Sequence, residues 1–108
     1  MSIERLGGFE ELVLLSVAGL GGDGYGVTIQ EQLETESGHD ISVGAVYATL
    51  DRLERKGYVR SRVGDPSAVR GGRRKRLYRV TASGSSALRE IDRIRTCLLN
   101  AANLPSRP

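Results

Sequence analysis

The residues of this chain that could do chemistry are mainly arginines, and they are concentrated in the middle of the sequence. Positions 51–79 contain eleven basic residues against three acidic ones, whereas positions 1–50 contain one basic residue against eight acidic ones. The net charge of +3 therefore conceals a strongly polarised chain of 108 residues. A concentrated positive field attracts polyanions and accelerates their capture. The charge pattern indicates a nucleic acid as the partner.

The densest basic stretch is residues 70–79, which has two glycines near its start, at positions 71 and 72. A charge run by itself is often only a solvated surface, but here strand-like segments stand on both sides of it. A glycine-tipped loop of this kind, next to a helix in the major groove, lies along the DNA backbone or enters the minor groove. The candidate phosphate contacts are Arg70, Arg73, Arg74, Lys75 and Arg76.

The elements that position this loop follow from the spacing of apolar residues. Helical spacing predicts helices over residues 3–20, 25–37 and 43–56, with Ser42 as the N-cap of the third and a stub strand at 39–41. The period then changes to two, which predicts strands at 59–63 and 77–80, and a fourth helix begins after Thr81. This order predicts a mainly α (α+β) fold, a winged helix-turn-helix with an extra C-terminal dimerisation helix. We divide the chain into a DNA-binding unit (1–80), the dimerisation helix (81–104) and a loose tail (105–108).

The third helix occupies the recognition position, and small residues lie opposite its apolar stripe. Gly44, Ala45 and Ala48 would let the backbone enter a groove about 12 Å wide. The alternative is that these residues pack against the second helix and that the Tyr47 ring stacks on the core. On the groove interpretation, the side chains expected to hydrogen-bond DNA are Tyr47, Thr49 and Arg52.

The fourth helix carries apolar residues that step by 4, 3, 4 and 3, as in a coiled-coil seam. This seam could pack back on the first helix of the same chain. The two helices together are nevertheless too apolar for one small domain, so we expect a two-fold dimer that reads a palindrome. The expected interface residues are Leu6, Phe9, Val13, Ala87, Ile91, Ile94, Leu98 and Ala101.

Catalysis has little support in this composition. One histidine and one cysteine, His39 and Cys97, provide neither a zinc set nor a catalytic pair, so we expect no enzyme activity, no metal and no cofactor. The longest apolar run is about half of a bilayer span of roughly 20 residues, and the N-terminus lacks a signal-peptide pattern. We therefore expect a cytoplasmic protein without a membrane segment. Five aromatic residues leave few stacking platforms for RNA.

Four segments resemble the PadR family of bacterial transcriptional regulators, in its small branch with a single C-terminal helix. They are Gly24-Tyr-Gly26, Ser42-Val-Gly-Ala-Val-Tyr47, the run of residues 50–59 and Arg76-Leu-Tyr-Arg-Val-Thr81. The resemblance implies a homodimer formed by the first and fourth helices, DNA binding through the third helix and the wing, and repression relieved by a small molecule. It adds Ser42 to the DNA contacts, alongside Gly44, Tyr47 and the wing residues 73–76.

Two departures from the family pattern accompany this resemblance. Many members carry Thr where this chain has Ala45, so one hydroxyl contact is missing. The chain also has no tryptophan, with which some small members stack planar ligands. We expect a sequence-specific DNA-binding regulator, a repressor, with double-stranded DNA, a second copy and a small-molecule effector as its partners. The alternative is a winged-helix protein-interaction module that does not bind DNA.

Overall fold

The computed structural model describes residues 6–64 and 74–104. Its elements, in chain order, are α1 (Gly8–Gly19), α2 (Gly26–Ser37), α3 (Val43–Arg55), β1 (Val59–Val63), β2 (Arg76–Val80) and α4 (Ala82–Ala102). The two strands form an antiparallel hairpin in which Val59 faces Val80 and Val63 faces Arg76. Four helices and one small hairpin confirm the expected mainly α, winged helix-turn-helix fold.

The core lies where α1, α2 and α3 meet under the hairpin. Helical spacing of apolar residues gives each helix one buried stripe, and the strands add alternate residues. Ser16 is a buried polar residue in this region, and its hydroxyl donates to Oε1 of Gln32 at 2.5 Å, which satisfies it and joins α1 to α2. The buried apolar residues are Val13, Leu14, Val17, Ile29, Leu33, Val46, Leu50, Leu53, Tyr58, Val59, Tyr78 and Ala87.

Two predicted elements differ from those observed. Residues 6 and 7 are not helical, and α1 begins at Gly8. The carboxylate of Glu10 accepts the Gly7 N–H at 2.8 Å, and this hydrogen bond caps the N-terminus of the helix. Residues 39–41 do not form a stub strand. The backbone of Ile41 is bonded instead by side chains of α2, its C=O by Gln30 Nε2 and its N–H by a Glu34 carboxylate oxygen, each at 2.8 Å.

A short backbone pairing outside the hairpin involves Gly24 rather than the 39–41 link. The Tyr78 N–H donates to the Gly24 C=O at 2.9 Å, so the turn before α2 is attached to β2. Burial raises the pKa of the Tyr78 phenol, in opposition to the nearby positive charge of Arg76, so Tyr78 stays neutral. This pairing holds the wing against the start of α2.

The N-caps of α3 and α4 and the end of α3 are the ones that the sequence predicts. The Ser42 hydroxyl accepts the Ala45 N–H at 3.2 Å, and the Thr81 hydroxyl accepts the Gly84 N–H at 3.0 Å. Gly57 has a φ of 82°, which ends α3 and turns the chain into β1. A Cβ at Gly84 would overlap the carbonyl oxygen of Tyr58, so glycine is required where the first turn of α4 crosses the hairpin.

Helix α4 is attached to the rest of the protein mainly through its first half. Gly84 and Ala87 are its buried residues, Ile91 and Ile94 are half-buried, and residues from 95 to 102 are exposed. Packing back on α1 therefore satisfies only part of the apolar seam. Within residues 6–64 and 74–104, no helix is long and apolar enough to cross a membrane.

Candidate DNA interface

The N-terminal half of α3 presents an exposed surface of small residues. Ser42, Gly44, Ala45 and Ala48 are all exposed, and together with Tyr47 they form what we call the α3 surface. Short side chains let a helix backbone approach base edges closely, which suits insertion into the major groove. Five of the seven DNA-contact residues expected on or next to α3 are thus available on one face.

Thr49 is a correction to that expectation. Its residue is 1 % exposed, because it lies in the same buried stripe as Val46, Leu50 and Leu53. The hydroxyl accepts a hydrogen bond from an Arg52 guanidinium nitrogen at 3.0 Å, so it is satisfied inside the protein. Thr49 therefore does not face DNA. Its position three residues after Val46 is the sequence signal that indicates burial.

Arg52 is half-exposed, but it is held by ion pairing within the protein. Its Nε lies 3.3 Å from Oε2 of Glu10, and the carboxylate of Glu10 also accepts from Lys56 Nζ at 2.7 and 2.9 Å. This triad joins α3 to α1. It leaves Arg52 less free to reach a guanine edge than the sequence analysis expects.

Glu10 is the residue that the sequence analysis missed in this region. It is 7 % exposed, and its spacing from Val13, Leu14 and Val17 places it on the buried face of α1. Burial alone raises the pKa of Glu10, but hydrogen bonds from Lys56 and the Gly7 N–H, the charge of Lys56 and the bond from Arg52 together lower it. Glu10 is consequently ionised at neutral pH and orients the end of α3.

The base of the wing lies beside the α3 surface. Arg74, Lys75 and Arg76 are exposed, whereas Arg70 and Arg73 lie outside the described residues. Lys75 Nζ stands 4.5 Å from the centre of the Tyr25 ring, a cation–π contact, and Arg76 donates to the Ser61 hydroxyl at 2.9 Å. The Lys75 contact directs part of the positive charge of the wing toward the start of α2, while the Arg76 bond stays within the hairpin.

A groove of about 260 Å³ joins these parts into one surface. Its lining combines the three basic residues at the base of the wing with side chains from α2 and α3. Tyr25 and Val27 are additional members that the sequence analysis did not assign to the interface. The lining residues are Tyr25, Val27, Tyr47, Arg74, Lys75 and Arg76.

Tyr47 lines this groove from α3. Its ring packs over Gly26, where a Cβ would overlap the ring, and the residue is nevertheless 43 % exposed. The ring is therefore partly packed against the start of α2 and partly exposed, and its contact with DNA stays a prediction. The glycine at 26 is what permits this position.

A second exposed region is apolar and lies on α1 and α4. Arg95 of α4 pairs with Glu11 of α1 at 2.5 Å, and exposed leucines stand on both helices: Leu12, Leu15, Leu98 and Leu99. We call these four leucines the α1–α4 apolar set. Of the expected interface residues, Leu98 and Ala101 are exposed, while Leu6, Phe9, Ile91 and Ile94 are half-buried.

Val13 and Ala87 are corrections to the expected interface. Val13 is 0 % exposed and Ala87 is also buried, because both belong to the core of the protomer. The sequence prediction places Leu6, Phe9 and Val13 of the first helix together at the dimer interface. The helix in fact has a buried stripe with Val13, and exposed leucines at positions 12 and 15 on another side.

Comparisons with known proteins agree with this geometry. The model of the transcriptional regulator PadR-like family matches residues 14–90. An uncharacterised protein from Lysinibacillus sphaericus is 35 % identical over 71 residues, which is 64 % of this chain and 62 % of that protein. The chain thus spans less than two thirds of this relative.

Solved structures with a similar fold include proteins described as PadR-like or PadR family regulators. A PadR family transcriptional regulator from Eggerthella lenta is 26 % identical, with a TM-score of 0.66 over 85 % of this chain and 78 % of that one. A PadR-like regulator from Bacillus cereus is 19 % identical, with a TM-score of 0.70 over 88 % and 87 %. One from Clostridium difficile is 24 % identical, with a TM-score of 0.68 over 90 % of this chain and all of that one. Because the family model covers well over half of the sequence, this chain belongs to the PadR-like family, whose members are transcriptional regulators and not enzymes.

Proposed function

We propose that this protein is a sequence-specific transcriptional repressor that binds a palindromic operator as a homodimer and is released by a small molecule. The observation that carries the proposal is the groove in which Tyr47 of α3 meets Arg74, Lys75 and Arg76 of the wing. A recognition helix with small exposed residues beside a basic wing is the geometry for reading one DNA half-site. This basic surface also favours DNA over the alternative of a protein-interaction module.

Base reading in this proposal depends on the α3 surface. Thr49 is buried and Arg52 is paired with Glu10, so the residues left to meet base edges are Ser42, Ala45 and Ala48. Alanine methyl groups contact the methyl of thymine, while a serine hydroxyl bonds to several bases. We therefore infer a preference for thymine-containing steps at the centre of each half-site.

Affinity in this proposal depends on the wing and on Tyr47. Exposed arginines and lysines neutralise phosphates and release counterions, which makes binding strongly salt-dependent. We propose the Tyr47 hydroxyl as a further donor to a phosphate oxygen, because Tyr47 lines the groove together with the same basic residues. Arg70 and Arg73 belong to the same wing in the sequence and are proposed as further phosphate contacts.

The proposed dimer uses the exposed parts of α1 and α4. Leu98 is 64 % and Leu99 54 % exposed, a large apolar exposure for the end of a helix, and a second copy would cover them. Leu98 and Ala101 keep the role that the sequence analysis gives them, and Leu12 and Leu15 are added. Residues 1–80 then serve as the DNA-binding unit and residues 81–104 as the dimerisation helix. A regulator of this kind acts where the DNA is, so we place it in the cytoplasm.

Footprinting tests this function. Purified protein would be incubated with the DNA upstream of its own gene, and protection from nuclease would be mapped at single-base resolution. We expect two protected half-sites about 34 Å apart, or roughly one helical turn, arranged as a palindrome. No protection anywhere in that DNA, together with binding that ignores sequence, would contradict a sequence-specific repressor.

A further inference from the structure

A second groove, of about 300 Å³, lies on a different part of the molecule from the DNA interface. It is bounded by α1, by the turn between α1 and α2, by β2 and by the first half of α4. None of its lining residues belongs to the α3 surface or to the groove around Tyr47. The groove therefore has no part in the proposed contact with DNA.

The charge in this groove comes from Arg79 of β2. Its guanidinium lies over Gly22, where a Cβ would be 3.1 Å from a guanidinium nitrogen. The carboxylate of Asp23, next in the chain, is engaged by Arg62 at 3.4 Å. Within residues 6–64 and 74–104, Arg79 forms no ion pair, so its positive charge is available to an anion.

The facing strand increases the positive potential at this point. Arg60 is paired directly with Arg79 in the hairpin, and like charges in facing positions are unfavourable unless something neutralises them. Both side chains are exposed, and neither has a carboxylate partner in the described part of the chain. An anion bound at Arg79 would relieve this repulsion.

Two further hydrogen-bond donors line the same groove. The N–H of Gly22, a buried residue with a φ of 93°, donates to no acceptor among the described residues. The Ser85 hydroxyl likewise has no partner among the described residues, because the bond from Ser85 to the Thr81 C=O is made by its backbone N–H. A guanidinium, an amide N–H and a hydroxyl are together suited to a carboxylate.

The remaining lining is aliphatic. Ala18 of α1, Val80 of β2 and Leu88 of α4 contribute methyl groups, and among residues 6–64 and 74–104 no aromatic ring lines the groove. Such walls suit a flexible acyl chain better than a planar ring, which gains from stacking on aromatic residues. The volume is at the lower end of the range for ligand sites, which begins at about 300 Å³.

We propose that this groove binds a small aliphatic carboxylate, with its carboxylate on Arg79, Gly22 and Ser85 and its chain between Ala18 and Leu88. A ligand there touches β2 of the wing and α4 of the proposed dimer at once. It therefore changes DNA affinity if it favours one arrangement of these two elements over another. This effector role rests on the proposed function, whereas the binding itself does not.

The binding is tested without DNA, by titrating ¹⁵N-labelled protein with hexanoate and following its amide resonances by NMR. We expect saturable shifts at Ala18, Gly22, Ser85 and Leu88, and none with hexanamide, which has the same chain but no charge. Arg79→Gln should weaken hexanoate binding by about tenfold or more, because a charge-assisted contact is lost. Arg60→Gln removes the same charge from the facing strand, where Arg60 does not line the groove, and should weaken hexanoate binding by only about two- to threefold, because a longer-range attraction is lost but no contact.

Three results would overturn the carboxylate site: no saturation at millimolar hexanoate, equal binding of hexanamide, or equal loss in the Arg60→Gln and Arg79→Gln variants. Circular dichroism of both variants verifies that they are folded. A second arm measures binding of footprinted DNA with and without hexanoate. We expect a change of several-fold in the wild type and none in Arg79→Gln; an unchanged affinity in the wild type would overturn the effector role alone.

Discussion

Lys56 Nζ at the end of α3 lies 2.7 and 2.9 Å from the two carboxylate oxygens of Glu10 in α1. Arg52 joins the same carboxylate from one turn earlier, so the C-terminal half of the proposed recognition helix is fixed to α1. In the proposed dimer α1 also contributes to the interface. The triad is therefore a direct polar connection between the proposed recognition helix and a helix of the proposed dimer interface.

Replacing Glu10 with Gln should destabilise the protein by about 1–2 kcal/mol, because charge-assisted hydrogen bonds to a buried carboxylate are lost. Lys56 and Arg52 keep some solvent contact, which holds the cost below that of a fully buried pair. Urea denaturation at neutral pH measures the effect. The matched control is Glu90→Gln, which removes an exposed ion pair with Arg93. Loss of this exposed pair should cost less than about 0.5 kcal/mol. Equal costs for the two variants would show that the triad is an ordinary surface pair.

The same carboxylate predicts a pH dependence of stability. Since the folded pKa of Glu10 is lowered, ionised Glu10 stabilises the folded state above the ordinary glutamate pKa of about 4.3. This contribution is lost as the pH falls through the lower, folded pKa. The difference in unfolding free energy between wild type and Glu10→Gln should be constant from pH 6 to about 7 and shrink below about pH 4.3. A difference that grows on acidification would mean that the pKa is raised.

Gly26→Ala should leave the fold intact and reduce DNA affinity by roughly tenfold, which corresponds to about 1.4 kcal/mol of binding free energy. The new methyl group overlaps the end of the Tyr47 ring and displaces the ring from its position in the groove. Gly8→Ala is the matched control, because Gly8 also stands at the first position of a helix and a Cβ there has no neighbour within 4 Å. Fluorescence anisotropy on the footprinted DNA gives both affinities. If the two variants bind equally well, the position of Tyr47 has no importance for DNA.

The expected dimer is tested at Leu98. Leu98→Lys should raise the dimer dissociation constant by about 30-fold or more, because a charge in place of a buried leucine costs roughly 2 kcal/mol at an interface. Val63→Lys makes the same change at an exposed apolar residue of the wing hairpin and should leave association unchanged. Sedimentation equilibrium over micromolar concentrations measures both. A wild-type protein that is monomeric in this concentration range would contradict the proposed dimer.

The helices and the hairpin could be predicted from the sequence because their signals are local. Apolar spacing predicts α2 and α3. Ser42 marks the start of α3, Gly57 marks its end, and Thr81 marks the start of α4. What could not be predicted depends on partners distant in the chain. Gly24 pairs with Tyr78 across more than fifty residues, and nothing near position 24 indicates this.

The candidate site could be predicted in outline but not in detail. Exposure of Gly44, Ala45 and Ala48 follows from helix geometry, and so does the burial of Thr49, which the polar character of threonine concealed. The polar character of Glu10 conceals its burial in the same way. Its carboxylate is tolerated in a buried stripe only because Lys56 and Arg52 reach it from α3. Tertiary pairing of charges leaves no pattern in a single helix.

The central claim, that the α3 surface and the wing read DNA together, is tested most directly by measuring DNA affinity against salt concentration. Fluorescence anisotropy would compare the footprinted palindrome with a scrambled sequence for wild type, Arg74→Ala/Arg76→Ala and the control Arg89→Ala, an exposed arginine of α4. For wild type we expect log K to fall with log salt at a slope of about −4 to −5 per protomer. The double variant should flatten the slope by about two and weaken both sequences alike, and the control should match wild type. A wild-type slope near −1, or equal affinity for the palindrome and the scrambled DNA, would contradict the claim.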